Sequence, residues 1–119
     1  MRDAYIVQSV RTPGCKQKRG LFKQTRPEEL ISFIMKEAVE RTPNLKPEDL
    51  DDVMMGCAFP EAEQGLNLGR VAAKMAGFPD KVSGATVNRF CASGLEAIAL
   101  ASMRVSAGWS EVCMGAGCE

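Results

Sequence analysis

The residue best suited to chemistry in this sequence is Cys91, within the stretch TVNRFCASGLEAIALASMRVSAG. Residues before it are typical of a strand, and residues after it predict a helix that ends at Gly108. At the start of a helix, N–H groups lack helical acceptors and the helix dipole is positive. Both effects stabilise a thiolate, and free N–H groups can receive the oxygen of a carbonyl under attack. Ser93 and Gly94 keep the first turn small, which leaves room for a substrate.

Position alone leaves a second interpretation open, in which Cys91 is a small apolar core residue. The other four cysteines fit that inert role better. Cys57 and Cys113 lie in or beside apolar strands and are expected in the core. Cys15 lies in a basic loop, and Cys118 lies at the end of the sequence. The odd number of cysteines and the lack of a CxxC pair favour a reducing compartment over a disulfide scaffold.

Composition excludes several classes of function. The 119 residues suit one domain, and 15 Lys+Arg against 15 Asp+Glu favour neither nucleic acid nor an anionic membrane. No apolar run reaches the roughly 20 residues that a membrane span needs, and no signal peptide is recognisable. Histidine is absent, so a Cys–His dyad within this chain is excluded and no metal site is expected. We predict a cytoplasmic protein that does not insert into membranes.

Alternating strands and helices must position Cys91. The pattern predicts four strands, at 4–10, 53–57, 85–88 and 111–117. It predicts three helices between them: one from a Thr25/Glu28 capping box to Thr42, one from the cap Asn67 to Gly77, and one from Cys91 to Gly108. The order β-α-β-α-β-α-β indicates an α/β fold, a mainly parallel sheet with helices on both faces. Functional loops are expected at the carboxyl ends of its strands.

Two features predict that this fold is incomplete. The helix after Cys91 is apolar nearly all round, so we expect it to be sandwiched between two layers. The final residues, GAGCE, follow the last predicted strand directly, with no closing helix or strand after them. An unpaired sheet edge and one uncovered side of the helix are therefore expected, and with them poor solubility or obligate association.

Four segments resemble thiolases, the acyl-CoA C-acyltransferases: VRTP, GCAFPEAEQGLNLGRVAA, VNRFCASGLEAIALA and GAGCE, in the family's order. The resemblance extends over essentially the whole sequence. It implies that residues 1–119 are the N-terminal part of the first thiolase half-domain, without the loop region and the C-terminal half. The EQGLNLGR loop favours the degradative, 3-ketoacyl-CoA branch, which belongs to fatty acid β-oxidation and lipid metabolism.

The resemblance also implies a mechanism. Cys91 is the nucleophile that becomes acylated during thiolysis of a 3-ketoacyl-CoA or Claisen condensation of acetyl-CoA, and its backbone N–H contributes to an oxyanion site. Asn88, Arg89, Ser93 and Gly94 match the motif and are assigned to shaping the site. Coenzyme A and acyl-CoA are substrates, with no permanently bound cofactor, and no residue here is assigned to binding them. Full-length family members are homo-oligomers, dimers or tetramers.

The sequence departs from the family in what it lacks. The second half of a thiolase supplies a histidine that activates the nucleophile, a second cysteine that moves the substrate proton, and an asparagine-held water. We therefore predict that the 119-residue chain alone is inactive. Two alternatives remain: a non-catalytic truncated or assembly fragment of a thiolase, and another condensing enzyme such as a ketoacyl synthase. The absence of histidine favours the first for the isolated chain, and the wording VNRFCASG favours thiolase over the second.

Overall fold

A computed structural model describes residues 1–119 as a small parallel sheet between helices. Three α-helices and three strands alternate along the sequence. In order they are α1 (Pro27–Glu40), β1 (Asp52–Gly56), α2 (Leu68–Met75), β2 (Ser83–Val87), α3 (Ser93–Ser106) and β3 (Cys113–Gly117). Two short 3-10 turns, Pro47–Asp49 and Ala62–Gln64, flank β1. None of the three α-helices has the length and apolar character that crossing a bilayer requires.

The sheet has the strand order β2-β1-β3, with both pairs parallel. Gly56 at the end of β1 lies level with Val87 of β2 and Gly117 of β3. All three strands therefore end at the same edge of the sheet, beside the turn that leads into α3. β1 is buried along its whole length, as expected for a central parallel strand covered on both faces.

The two faces of the sheet carry different layers. α1 and α2 cover one face, where the core is built around Ile31, Met35, Val53, Met55, Leu68, Phe78 and Val82. α3 covers the other face, where Ala97 and Ala101 pack against Met54 of β1. The sequence-based prediction of an α/β fold with helices on both faces of a parallel sheet is confirmed.

The predicted first strand, residues 4–10, is wrong for this structure. That segment is extended but forms no strand, and no hydrogen bond joins its backbone to β3. Its ends are fixed elsewhere: the N–H of Arg2 donates to the Ser106 carbonyl over 3.1 Å, and the Gln8 side chain donates to the Arg41 carbonyl over 3.3 Å. These anchors lie on α3 and next to α1, so they hold the segment beside the sheet without pairing it.

Helix caps are partly as predicted. The predicted capping box of Thr25 and Glu28 is one residue early: α1 is capped at Arg26, whose N–H donates to the Glu29 carboxylate over 3.4 Å. Glu28 instead forms an ion pair with the side chain of Arg26. The reason is Pro27, which occupies the first helical position and so makes the residue before it the cap.

The remaining boundaries follow the sequence closely. Asn67 caps α2, its Oδ1 accepting the Arg70 N–H over 3.3 Å. Gly77 and Gly108 follow α2 and α3 with φ of 81° and 77°, values that favour glycine. The predicted strands 53–57, 85–88 and 111–117 are all present, with ends shifted by one or two residues.

α3 is less buried than its composition predicts. Only Ser93, Ala97 and Ala101 are buried, whereas large apolar side chains on its outer side, including Leu95 and Met103, are exposed. One stripe of small residues packs on the sheet and no second layer covers the opposite stripe. The exposed outer face of α3 agrees with the expectation that one side of this helix is uncovered in this chain.

Candidate active site

Cys91 lies in the turn between β2 and α3, at the carboxyl edge of the sheet. β2 ends at Val87, and α3 begins at Ser93 with Ala92 as its cap. The thiol is exposed, so Cys91 is not a core residue. The predicted position at the start of this helix is correct to within two residues.

The turn holds an unusual backbone conformation directly before the cysteine. Phe90 has a φ of 49°, in the left-handed region that a bulky side chain rarely adopts and that costs about 1–2 kcal/mol. Asn88 supports this conformation: its Oδ1 accepts the Phe90 N–H over 2.8 Å, and its Nδ2 donates to the Ala58 carbonyl over 2.9 Å. Asn88 therefore ties the turn to the segment that follows β1.

Ser93 closes the same turn from the helix side. Its hydroxyl accepts the Arg89 N–H over 2.9 Å and donates to the Phe90 carbonyl over 2.6 Å. The residue is only 3% exposed. The Arg89 side chain extends away from the turn and pairs with Glu96 over 2.9 Å on the surface of α3. Two of the predicted site-shaping residues, Asn88 and Ser93, thus hold the turn, whereas Arg89 contributes mainly its backbone.

Glycines let α3 approach the strand ends unusually closely. A Cβ on Gly56 would lie 2.3 Å from the carbonyl carbon and oxygen of Ser93, and a Cβ on Gly117 would lie 3.2 Å from the Cα of Gly94. On β3, a Cβ on Gly115 would lie 2.7 Å from the Cα of Ile98. These approaches fix the first turn of α3 against β1 and β3. The sequence does not predict this role, because each glycine contacts residues that are distant along the chain.

The N–H groups near Cys91 divide into engaged and free donors. The Ala92 N–H donates to the Arg89 carbonyl over 3.1 Å, and the Ser93 N–H donates to the Phe90 carbonyl over 3.0 Å. The N–H groups of Cys91, Gly94 and Leu95 have no acceptor in the turn or cap. Fewer N–H groups are therefore free at the start of α3 than the sequence predicts, but the N–H of Cys91 is one of the free groups.

Glu119, whose role the sequence does not predict, holds the loop that follows β1. Its carboxylate accepts the Ala58 N–H over 2.7 Å and the Phe59 N–H over 3.0 Å, and lies 3.4 Å from Gln64 Nε2. The Ala58 carbonyl in turn accepts a hydrogen bond from Asn88 Nδ2. Ala58 and Glu119 therefore link the ends of β1, β2 and β3.

Comparison with known proteins identifies the family. The chain matches the family described as "Thiolase, N-terminal domain" over residues 4–119. It belongs to the thiolase family. The 3-ketoacyl-CoA thiolase of Idiomarina loihiensis is 41% identical over 119 residues, which are 100% of this chain and 31% of that protein. The 3-ketoacyl-CoA thiolase 2, peroxisomal, of Arabidopsis thaliana is 41% identical over 117 residues, 98% of this chain and 25% of that protein.

A solved structure shows the same fold. The crystal structure of the Bacillus anthracis acetyl-CoA acetyltransferase superposes with a TM-score of 0.90 at 37% identity, covering 98% of this chain and 29% of that protein. This thiolase-family chain thus spans about a third or less of the length of the proteins it resembles.

The remaining cysteines of this thiolase-family protein differ from Cys91 in their surroundings. Cys57 is fully buried, as predicted, and burial raises the pKa of its thiol. Cys113 is half-buried, and burial raises the pKa of its thiol as well. For Cys118, burial, aided by Cys57 and Glu119, raises the pKa to about 11. All three thiols are therefore neutral near pH 7, and only Cys15 shares the exposure of Cys91.

The larger of the two main grooves does not contain the thiol. It has a volume of about 580 Å³ and follows the outer edge of β3 between residues 4–12 and the sheet. Cys91 does not line it, but Gly94 and Glu119 do, so the groove ends beside the Cys91 turn. No group of three or more Cys, Asp or Glu side chains is placed to hold a metal ion.

Proposed function

We propose that this chain supplies the nucleophilic cysteine, Cys91, for thiolase-type acyl transfer. The observation that carries the proposal is that Cys91 has an exposed thiol and a backbone N–H without an acceptor. It lies in a strained turn that is fixed at the carboxyl edge of the sheet. Relatives and the structural neighbour are named for 3-ketoacyl-CoA thiolase and acetyl-CoA acetyltransferase. The proposed substrates are accordingly acyl-CoA thioesters, with coenzyme A as a reactant and no resident cofactor.

The proposed chemistry has two steps. In the first, the Cys91 thiolate adds to the carbonyl carbon of acetyl-CoA, or to the ketone carbon of a 3-ketoacyl-CoA. The resulting oxyanion accepts the free Cys91 N–H. Collapse breaks the bond to the leaving group, coenzyme A thiolate or the acetyl-CoA carbanion, and leaves an acyl thioester on Cys91. In the second step, coenzyme A or an acetyl-CoA carbanion attacks that thioester and frees the cysteine.

The neighbouring residues have supporting roles in this proposal. Asn88 and Ser93 fix the turn so that the thiol faces outward. Gly94 lies in the first turn of α3, which Gly56 and Gly117 allow to approach the strand ends. Arg89 contributes its backbone N–H, which donates to Ser93, while its side chain is held by Glu96. None of these residues is assigned to proton transfer.

Proton transfer is what the 119 residues lack. The sequence contains no histidine. The charged side chains of Arg89, in the turn, and Glu96, on α3, pair with each other. We propose that the chain alone does not turn over and that the activity belongs to a larger homo-oligomeric thiolase. A cytoplasmic location stays a prediction, since the Arabidopsis relatives are named peroxisomal.

Competitive labelling tests the proposal. With iodoacetamide below one equivalent, Cys91 is expected to be alkylated before Cys15, as read by peptide mass spectrometry. Both thiols are exposed, so a difference in rate reports the turn and not accessibility alone. Cys91→Ala should move the label to Cys15, and Cys15→Ala should leave Cys91 labelling unchanged. Equal rates at the two sites would reject an activated Cys91.

A second candidate is a non-catalytic assembly fragment of a thiolase. It is favoured by the missing histidine and by the exposed outer face of α3. Incubation with acetyl-CoA distinguishes the two functions: transfer of one acetyl group to Cys91, and not to Cys15, supports the nucleophile. Thiolysis of acetoacetyl-CoA by the chain alone is expected to be negligible in either case.

A further inference from the structure

Backbone pairing between the three strands ends at the carboxyl edge of the sheet. The last bond between β3 and β1 runs from the Cys118 N–H to the Gly56 carbonyl over 3.0 Å. The last bond between β1 and β2 runs from the Cys57 N–H to the Val87 carbonyl over 3.0 Å. Beyond these bonds the backbone groups have no neighbouring strand, and buried ones need another partner. Side chains supply that partner here.

Three hydrogen bonds continue across this edge, from Glu119 to the turn that holds Cys91. The Glu119 carboxylate accepts the Ala58 N–H over 2.7 Å. The Ala58 carbonyl accepts Asn88 Nδ2 over 2.9 Å. Asn88 Oδ1 then accepts the Phe90 N–H over 2.8 Å. Ala58 and Asn88 each make one bond toward Glu119 and one toward the turn, so the place of each depends on its neighbour in this series.

A carboxylate is well suited to the first position of the series. Its two oxygens accept two N–H groups at once, because the Phe59 N–H donates to the second oxygen over 3.0 Å. Hydrogen bonds to an ionised acceptor are shorter and stronger than those between neutral groups. Glu119 directly follows Cys118, whose N–H is bonded to β1. The carboxylate is therefore held at a defined place relative to the sheet.

The Phe90–Cys91 peptide is the part of the turn that this series controls. The peptide is planar and trans, so its C=O and N–H point in opposite directions. The Phe90 carbonyl accepts the hydroxyl and the N–H of Ser93, over 2.6 and 3.0 Å. The Cys91 N–H therefore points away from Ser93, and its direction depends on the backbone of Phe90, which has the strained φ of 49°. Asn88 holds the N–H of Phe90 in that conformation.

We propose that Glu119 is a positioning residue for acyl transfer at Cys91. Its carboxylate holds Ala58, and Ala58 holds Asn88. Asn88 in turn keeps Phe90 in the conformation that directs the Cys91 N–H toward the oxyanion. The proposal rests on Cys91 acting as the nucleophile, as proposed above. No proton transfer is assigned to Glu119, which acts through the geometry of the turn.

Two reactions of Cys91 separate this role from a general loss of structure. In acetylation by phenyl thioacetate, the thiol first gives its proton to the buffer, and the thiolate adds to the carbonyl carbon and forms an oxyanion. The bond to sulfur then breaks, and thiophenolate leaves with the electron pair. Thiophenolate needs no proton to leave, so the reaction does not require a histidine. Alkylation by iodoacetamide displaces iodide at a saturated carbon, so only the acetylation uses the Cys91 N–H.

The first test compares the two rates in matched variants. We expect Glu119→Gln to slow acetylation of Cys91 at least about fivefold more than it slows alkylation. Both rates at Cys15, read in the same protein by peptide mass spectrometry, should be unchanged. Glu61→Gln, at an exposed glutamate in the same loop, is the control and should leave the ratio of the two Cys91 rates unchanged. In Asn88→Ala, adding Glu119→Gln should change this ratio less than about twofold, because the series is already broken.

Hydrogen exchange gives a second test that needs no reaction at Cys91. In Glu119→Gln the Phe90 amide should exchange at least about fivefold faster than in the unmodified chain. In Glu61→Gln it should exchange at the unmodified rate. Equal slowing of acetylation and alkylation by Glu119→Gln would overturn the proposal, as would independent effects of the Glu119 and Asn88 substitutions or unchanged exchange at Phe90. The proposed function fails separately, if both reagents modify Cys15 of the unmodified chain as fast as Cys91.

Discussion

A Cβ added to Gly56 would lie 2.3 Å from the carbonyl carbon and oxygen of Ser93, so the end of β1 and the start of α3 meet backbone to backbone. Gly56→Ala therefore forces α3 away from the sheet, since neither backbone can yield locally. We expect a loss of roughly 2–4 kcal/mol in the free energy of unfolding, measured by urea denaturation. Gly14→Ala is the control, because its Cβ meets only the Arg11 side chain at 3.8 Å. Equal stability of the two variants would refute this contact.

Ser93 makes two hydrogen bonds within the turn, one accepted from Arg89 N–H and one donated to the Phe90 carbonyl. Ser93→Ala removes both from a buried position, and we expect a loss of about 1–3 kcal/mol together with slower alkylation of Cys91. Ser102→Ala is a matched control on the same helix, because the Ser102 hydroxyl is exposed and bonds only the Ile98 carbonyl. Were Ser102→Ala to slow Cys91 alkylation equally, the role of Ser93 in the turn would be excluded.

The strain at Phe90 gives a third prediction. With a φ of 49°, Phe90 occupies a conformation that glycine adopts without cost, and its side chain is exposed. Phe90→Gly should therefore raise stability by about 0.5–1 kcal/mol or leave it unchanged, despite the greater freedom of the unfolded state.

Asn88→Ala should destabilise by about 1–2 kcal/mol, because Phe90 N–H and the Ala58 carbonyl lose their partner. Thermal unfolding of both variants is the measurement, and a destabilising Phe90→Gly would contradict it.

Local patterns predicted most of the elements and the place of Cys91. The caps at Asn67, Gly77 and Gly108 depend on one or two neighbouring residues, so the sequence contains what is needed to recognise them. The same holds for the junction at Cys91, where a β-prone run changes to a helical one. The parallel sheet followed from the alternation of the two element types.

Features that depend on distant partners could not be predicted in the same way. Residues 4–10 have the composition of a strand, but a strand forms only when a neighbour pairs with it, and no neighbour stands beside them here. The close approach of Gly56 to Ser93 and the hydrogen bonds of Glu119 to Ala58 each join residues far apart in the sequence. Neither glycine nor glutamate carries a local signal of such a contact.

Glu119 gives a fourth prediction. Its two carboxylate oxygens accept the N–H groups of Ala58 and Phe59. Glu119→Gln replaces one acceptor by an NH₂ group, which faces an N–H donor and cannot bond it. We expect a loss of about 1–2 kcal/mol and faster hydrogen exchange in residues 58–65, where the loop loses its anchor. Glu48→Gln, at an exposed residue of the Pro47–Asp49 turn, should change neither. Unaltered exchange in Glu119→Gln would show that the loop is held by other contacts.

Cys118 makes stability depend on pH in the alkaline range. Its thiol pKa is raised from 9.0 to about 11, chiefly by burial. Below pH 9 the thiol is neutral in both the folded and unfolded states, and the full stability is present. Between about pH 9 and pH 11 the unfolded state loses the Cys118 proton while the folded state keeps it, so stability falls as the pH rises. Cys118→Val, which keeps a similar volume, should flatten this fall in urea denaturation curves, whereas Cys15→Val should retain it. A Cys118→Val variant with the unmodified slope would mean that this thiol ionises equally in both states.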